Sequence, residues 1–303
     1  KAAEETPAGA VHIVQAFEEA GLPPGVLNLV FGVPSDISEF LIPQPSVGLV
    51  ALTGSTHVGR HLTAMAARHD TRALMELGGH APVIVCEDTD VEQAAISGAV
   101  RKMRNAGQVC TSPTRFFVHD TIFDAFAKTF IARAAATVVG NGMQEGVEMG
   151  PTANARRIPV LTELVEDAVA KGAKLRTGGA RQVHVGYFFQ PTVLTHVPPH
   201  ARIMQEEPFG PIAVLNPVAT LDEAITQANA VPYGLAGYGF TNRADYIDRM
   251  IDEVEVGNLS INTLEASLPE TPFGGVKSSG HGRTEGLDNY LTVKNVWHSA
   301  QIA

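Results

Sequence analysis

Two residues stand out as able to do chemistry together: Glu76, before a Gly-Gly pair, and Cys110, which closes Gly107-Gln108-Val109-Cys110 thirty-four positions later. A thiolate attacks an electrophilic carbon better than a hydroxyl does, and forms without a strong base. A carboxylate in a partly apolar cleft has its pKa raised towards neutrality, where it can take a proton from water. We therefore read Cys110 as a nucleophile and Glu76 as its base or water activator. Of the chain's 2 cysteines, Cys86 ends the apolar run Ala81-Pro82-Val83-Ile84-Val85. A thiol there reads as a small inert hydrophobe. Cys110 lies past a helix, among Gly107, Thr111, Ser112 and Pro113, where backbone N–H groups can stabilise a thiolate.

The elements around these two residues alternate. Helices are expected over residues 7–20, 57–68, 88–104, 122–138, 158–171, 221–230 and 244–254, from apolar spacing and cap residues such as Asp88-Thr89-Asp90. Strands are expected over 26–31, 47–52, 74–77, 81–85, 116–118 and 260–262, with short strands and turns over 174–194. An exposed strand is expected over 293–302. Strand–helix–strand alternation predicts an α/β fold with parallel sheets of Rossmann type.

The motifs, taken in order, resemble the aldehyde dehydrogenase superfamily. They are Thr53-Gly54-Ser55-Thr56 with Gly59, Glu76-Leu77-Gly78-Gly79, the run ending in Cys110, Glu206-Glu207-Pro208-Phe209-Gly210-Pro211 and Pro272-Phe273-Gly274-Gly275-Val276-Lys277. The match in motif is nearest to succinate semialdehyde dehydrogenases. The resemblance implies two Rossmann-type domains, the cofactor domain being incomplete here. It divides the chain into the end of that domain (1–78), a catalytic domain (79–278) and a return segment with an oligomerisation strand (279–303). It also implies that Lys1 matches a position well inside longer family members, so that an Asn helping to hold the oxyanion lies outside the chain.

Residue roles follow from the same resemblance. Cys110 attacks the aldehyde and Glu76 activates water. Lys1 and Glu4 hold the adenosine ribose, Glu4 repelling a 2′-phosphate. NAD is thus expected, with NADP possible. Gly32 admits the adenosine, Gly54 and Ser55 the pyrophosphate at a helix start. Leu77 and Phe209 border the cofactor, and Glu207 bonds the nicotinamide ribose. Read from charge alone, Lys1, Glu4 and Glu206-Glu207 are equally solvated surface groups, and Gly54-Ser55 an ordinary helix cap. Arg104, six positions before Cys110, grips a substrate carboxylate, with Ser267 and Phe273 beside the substrate. The other reading of Arg104 is a cation complementing a helix end, in a run with Arg101 and Lys102. His80 stands where many relatives have Lys, and is expected behind the site or on the surface. Ser112 stands where some relatives have a second Cys, so no redox disulfide is expected.

Composition narrows the alternatives. The 303 residues, 45% apolar, suit one large or two ordinary domains. The 32 acids against 22 bases, net charge -10, argue against nucleic acid or an anionic membrane as main partner. Two dissimilar cysteines fit a reducing compartment, hence a cytoplasmic protein, although a chain that starts with Lys leaves targeting unread. No metal is expected. The function expected is oxidation of a small aldehyde, such as succinate semialdehyde, by a homodimer or homotetramer. The other readings are a coenzyme-A-acylating relative, which Glu76 disfavours, and a catalytically silent scaffold.

Overall fold

The computed structural model describes residues 1–182, 185–283 and 286–299. The chain forms two units, Lys1–Val50 with Arg60–Ala73, and Ala51–Gly59 with Leu74–Ala303.

The first unit opens with α1 (Pro7–Glu19) and α2 (Pro34–Leu41). Each has proline in its first turn, where a missing N–H costs nothing. The chain leaves α1 through Gly21 at φ +87°, a left-handed exit that glycine takes freely. Helix α2 was not foreseen, although Pro34 and Asp36 mark its start. Neither helix has a buried residue, and Ile13, Phe17 and Phe40 are exposed. The strand expected over 26–31 does not form. Val26, Val30 and Phe31 are exposed, and no described strand lies alongside to take their N–H and C=O groups, as a strand requires.

Next come β1 (Leu49–Thr53), α3 (Thr56–Ala67) and β2 (Arg72–Glu76). The second unit then continues with β3 (Ala81–Val85), α4 (Val91–Met103), β4 (Pro113–His119), α5 (Asp120–Ala135) and α6 (Arg157–Ala170). After these come β5 (Lys174–Thr177), β6 (Thr192–Thr195), the short α7 (Arg202–Gln205), β7 (Ile212–Val218) and α8 (Leu221–Asn229). The chain closes with β8 (Tyr233–Gly234), β9 (Ala236–Phe240), α9 (Ala244–Glu253), β10 (Asn258–Ile261), β11 (Val276–Lys277) and β12 (Gly280–His281).

Seven strands make one sheet in the order β10-β9-β3-β4-β7-β6-β5. All neighbours are parallel except the edge pair β5–β6. Both faces are covered, which is why its strands read as continuous apolar runs. Val83, Val85 and Phe116 pack on one side with Phe126 and Phe130 of α5. Ile84 and Phe117 pack on the other with Leu161 and Leu164 of α6. Helix α4 starts at Asp90, whose carboxylate accepts from Gln93 N–H at 3.1 Å, the cap read from the sequence. Gly98 lets α4 close onto the aromatic layer: a Cβ there would sit 3.0 Å from the Phe116 ring. The central strands β7 and β9 were not foreseen.

The second sheet expected from the alternation is present as three strands in the order β1-β2-β12, with β12 antiparallel to β2. Gly280 lies opposite Glu76. The expected C-terminal strand has no strand assignment over 293–299, since no described edge pairs with it, and Val293 and Trp297 are 95% and 92% exposed. Its last residues, 300–302, lie outside the described residues. No described helix is long and apolar enough to cross a membrane.

Candidate active site

Between α4 and β4 the chain makes an unusual turn. Asn105, Ala106 and Gly107 all have left-handed backbones, at φ 51°, 53° and 68°. A Cβ on Gly107 would meet the Gly210 carbonyl oxygen at 2.1 Å, so only glycine fits. Ala106 has no such exemption, and its conformation costs ~1–2 kcal/mol. Side chains hold the turn wound. Asn105 Nδ2 donates to Gln108 O and Gln108 Nε2 to Asn105 O, each at 3.0 Å, while Gln108 Oε1 accepts from Ala153 N–H at 2.8 Å. Cys110 follows, half-buried. Ser112 N–H closes back on Val109 O at 2.9 Å, and the buried Tyr238 hydroxyl donates to Thr111 O at 2.7 Å.

The Gly78-Gly79 pair is where the distant motifs meet. A Cβ on Gly79 would lie 2.2 Å from Cys110 O, and one on Gly78 2.5 Å from Glu207 Oε2 and 3.2 Å from Thr56 Oγ1. Gly79 N–H donates to Glu207 Oε1 at 3.0 Å. Glu76, at the end of β2, is 5% exposed. A Cβ on Gly274 would come within 3.2 Å of its Oε1, which places the Phe273-Gly274-Gly275 segment beside that carboxylate. Ser279 ties this segment down: its hydroxyl donates to Gly78 O at 2.7 Å and its carbonyl accepts from Leu77 N–H at 2.9 Å. Bare backbone at both glycines therefore lets Cys110, Glu207 and the Glu76 strand crowd one spot.

Charge in this spot is finely opposed. Burial, Glu207 and Glu76 push the Cys110 thiol up, while the N–H groups of Cys110 and Thr111 pull it down. The amides act as the sequence suggests, but burial and the two carboxylates outweigh them. Burial pushes Glu207 up to about 7, against the Gly79 amide and the charges of Lys102 and Arg157. Cys86, by contrast, is buried at the end of β3 and pushed up to about 12 by burial and by Glu87 and Asp88. His80 is not on the surface: it is 1% exposed, its Nε2 is 2.9 Å from Ile203 O, and burial with the Arg115 charge holds it well below its usual range, hence neutral. Its carbonyl accepts from Arg115 at 3.0 and 2.9 Å, and Arg115 also donates to Gln227 O and Ala228 O.

Of the expected cofactor residues, Glu207 faces Gly78, with Leu77 next to it, while Gly54 and Ser55 lie exposed just ahead of α3. Gly54 N–H donates to Glu76 O at 3.0 Å. Ser55 Oγ accepts from Val58 N–H at 3.4 Å at the start of α3. A Cβ on Gly59 would lie 2.2 Å from Leu77 Cδ2, so glycine there lets the helix close on Leu77. Phe209 is half-buried at φ 42°, in a loop whose Pro208 carbonyl accepts from Arg157. These groups suit a dinucleotide: a helix start with its dipole and the Ser55 hydroxyl, and a carboxylate over a glycine cradle. In the first unit, Lys1 Nζ pairs with Glu4 Oε1 at 2.7 Å, and Gly32 at φ 147° faces Ile37.

The substrate residues are not gathered with them. Arg104 is exposed and lines a cavity of about 540 Å³ with Arg101 and Glu265, which pair at 3.2 Å. Cys110, Glu76 and Glu207 do not line that cavity, nor do the exposed Ser267 and half-buried Phe273. Lys102, Tyr238, Arg115, Arg157 and Ser279 escaped the sequence reading. Lys102 was legible: Ala95, Ala99 and Lys102 share one buried helix face at spacings of four and three.

The chain resembles known proteins in sequence and in fold. The sequence profile described as the aldehyde dehydrogenase family matches residues 1–296. A Comamonas testosteroni protein named putative 4-(hydroxymethyl)benzenesulfonate dehydrogenase TsaD2 is 48% identical over 297 residues, covering 97% of this chain and 62% of that protein. The mitochondrial succinate-semialdehyde dehydrogenase of Rattus norvegicus is 41% identical, covering 98% of this chain and 58% of that one. The crystal structure of succinate-semialdehyde dehydrogenase from Burkholderia pseudomallei superposes with TM-score 0.92 at 40% identity, over 95% of this chain and 60% of that one. The chain thus spans about three-fifths of the length of the relatives it matches. With its motifs converged on one glycine pair and its fold shared with these structures, the chain belongs to the aldehyde dehydrogenase family.

Proposed function

We propose that the intact protein oxidises an aldehyde to the carboxylic acid, with Cys110 as nucleophile and Glu76 as the base that activates water. The observation that carries this reading is the convergence of Cys110, Glu76 and Glu207 at Gly78-Gly79. Cys110 Sγ, once deprotonated, bonds to the carbonyl carbon, and the oxygen that gains charge is met by the Cys110 N–H. Glu207, Ser55 and Gly54 would hold NAD, which when bound would supply the acceptor for the hydride that leaves that carbon as the thioester forms on Cys110. Glu76 then takes a proton from water as the water oxygen bonds to the thioester carbon. The acid departs and the Cys110 sulfur recovers a proton.

The substrate we propose is a small aldehyde with an acid group at its far end, gripped by Arg104. Two facts support it: Arg104 is exposed without an acidic partner among the described residues, and the relatives' names include a sulfonate and a succinate semialdehyde. Glu4 supports NAD over NADP, since its carboxylate would repel a 2′-phosphate. The exposed Val293, Val296 and Trp297 support a homo-oligomer built through the C-terminal segment.

The test is reduction of NAD and NADP by the intact protein across acid-bearing and neutral aldehydes, with Arg104→Ala alongside. Turnover concentrated on acid-bearing aldehydes with NAD, and lost selectively for them in Arg104→Ala, is expected. Equal losses on all aldehydes would remove Arg104 from substrate recognition. No turnover with any aldehyde would end the proposal.

A further inference from the structure

The proposed reaction makes no use of a buried cation at the end of α4. Lys102, next to the last residue of α4, is 0% exposed. A buried ammonium is costly unless partners compensate it. Among the described residues no carboxylate pairs with it directly. Its contacts are two hydroxyls, Ser112 Oγ at 3.1 Å and Thr114 Oγ1 at 3.0 Å. The Thr114 hydroxyl in turn donates to Ser112 O at 3.1 Å. The helix C-terminus favours a cation at this position, and Glu207 acts on it through space, yet burial still pulls Lys102 down to about 7.

Ser112 belongs to the turn that carries Cys110, and Thr114 to the start of β4, into which that turn runs. The turn's other anchors are Val109 O, held by Ser112 N–H, Thr111 O, held by Tyr238, and Cys110 O, pressed against Gly79. All three act on backbone. Lys102 alone among them fixes the side-chain face beyond Cys110, by donating to two side-chain hydroxyls. The Cys110 and Thr111 N–H groups that pull the thiol down are aimed only as well as this turn is held.

We propose that Lys102 is a positioning residue for Cys110: through Ser112 and Thr114 it holds the turn that aims the Cys110 and Thr111 N–H groups at Sγ. Its effect on turnover rests on the function proposed above; its effect on the turn does not. Lys102 touches no reacting atom, and its removal disturbs the orientation of the nucleophile rather than substrate binding.

The test uses three variants of the intact protein: Lys102→Met, which keeps the volume and removes the donor; Ser112→Ala/Thr114→Val, which removes the acceptors; and all three together. Lys102→Met is expected to lower kcat by about 10- to 100-fold, as a small misplacement of a reacting group does, with KM little changed. The acceptor variant should lose a similar factor, and the triple variant no more than either, because the residues act as one unit. Amide hydrogen exchange over residues 108–114 should quicken in each, while exchange in β6 and β7 stays the same. Losses that multiply in the triple variant, an unchanged kcat in Lys102→Met, or unchanged exchange over 108–114 would each overturn the proposal. If Lys102→Met does not fold, the acceptor variant decides by the same kcat and exchange criteria. If the unmodified protein oxidises no aldehyde, the exchange experiment decides alone.

Discussion

The turn around Cys110 and the segment ahead of β1 hold comparable sequence signals and meet opposite fates. Both contain apolar runs, turn glycines and helix-start residues, proline in α1 and α2 and Asp90 in α4. Around Cys110 every signal finds a partner: Gly79 receives the Cys110 carbonyl, Gly107 the Gly210 carbonyl, and Gly98 the Phe116 ring. In the first unit, α1 and α2 form with no buried residue, and the apolar run at 26–31 finds no strand partner among the described residues. Local pattern is thus enough to make a helix, whose hydrogen bonds are internal. It is not enough to make a strand, whose hydrogen bonds belong to a neighbour.

The largest effect that tests this contrast is at the sulfur. Cys110→Ala should reduce aldehyde oxidation in the intact protein by ~1,000-fold or more, while Cys86→Ala keeps turnover and costs about 1 kcal/mol of stability. Turnover that survives in the first variant, or vanishes in the second, would exchange the roles of the two cysteines. Next is Gly79→Ala. Its new methyl cannot share space with the Cys110 carbonyl, so the strand and the turn must part, and kcat should fall about 100-fold. An unchanged kcat would show that the crowding at Gly79 does not set the geometry.

Stability separates the two regions more directly. Leu164→Ala, fully buried beneath the seven-stranded sheet, should cost about 2–5 kcal/mol in chemical denaturation. Phe17→Ser on exposed α1 should change stability by about 0.5 kcal/mol or less; a larger loss would show that a further part of the protein covers that face. The smallest effect is in the pH dependence. Glu207 titrates at about 7 in the fold against 4.5 for the free group. The folded protein therefore holds a proton there that the unfolded chain gives up. Its contribution is complete below about 4.5 and is lost as pH rises through about 7. Denaturation midpoints of the intact protein across that window should fall more steeply than those of Glu207→Gln. Parallel curves would contradict the burial of that carboxylate.

Much of the second unit was legible because its signals are short-range. Asp90 capped a helix, Cys86 closed an apolar strand, and Glu76 and Cys110 sat in glycine-flanked motifs. Strands β7 and β9 were missed because glycine and proline interrupt them, in Ala236-Gly237-Tyr238-Gly239-Phe240 and at Pro217, and their pairing with β4 and β3 is a tertiary fact. Lys102 was missed for a different reason. Beside Arg101 and Arg104 it looks like surface charge, and only its helical phase with Ala95 and Ala99 reveals the buried face. His80 likewise gave no sign that its carbonyl would receive a buried guanidinium from thirty-five positions away. The substrate side remains the least determined by sequence, since Arg104 lines a cavity that Cys110 does not share.

The measurement that bears most directly on the central claim is mass spectrometry of the Glu76→Gln variant of the intact protein, incubated with NAD and an aldehyde it accepts. Without the base that activates water, the thioester should accumulate, and the tryptic peptide spanning residues 105–115 should gain the mass of the acyl group on Cys110. An unmodified Cys110 under conditions where the unmutated protein turns over, or an acyl group found on Cys86 instead, would contradict the account.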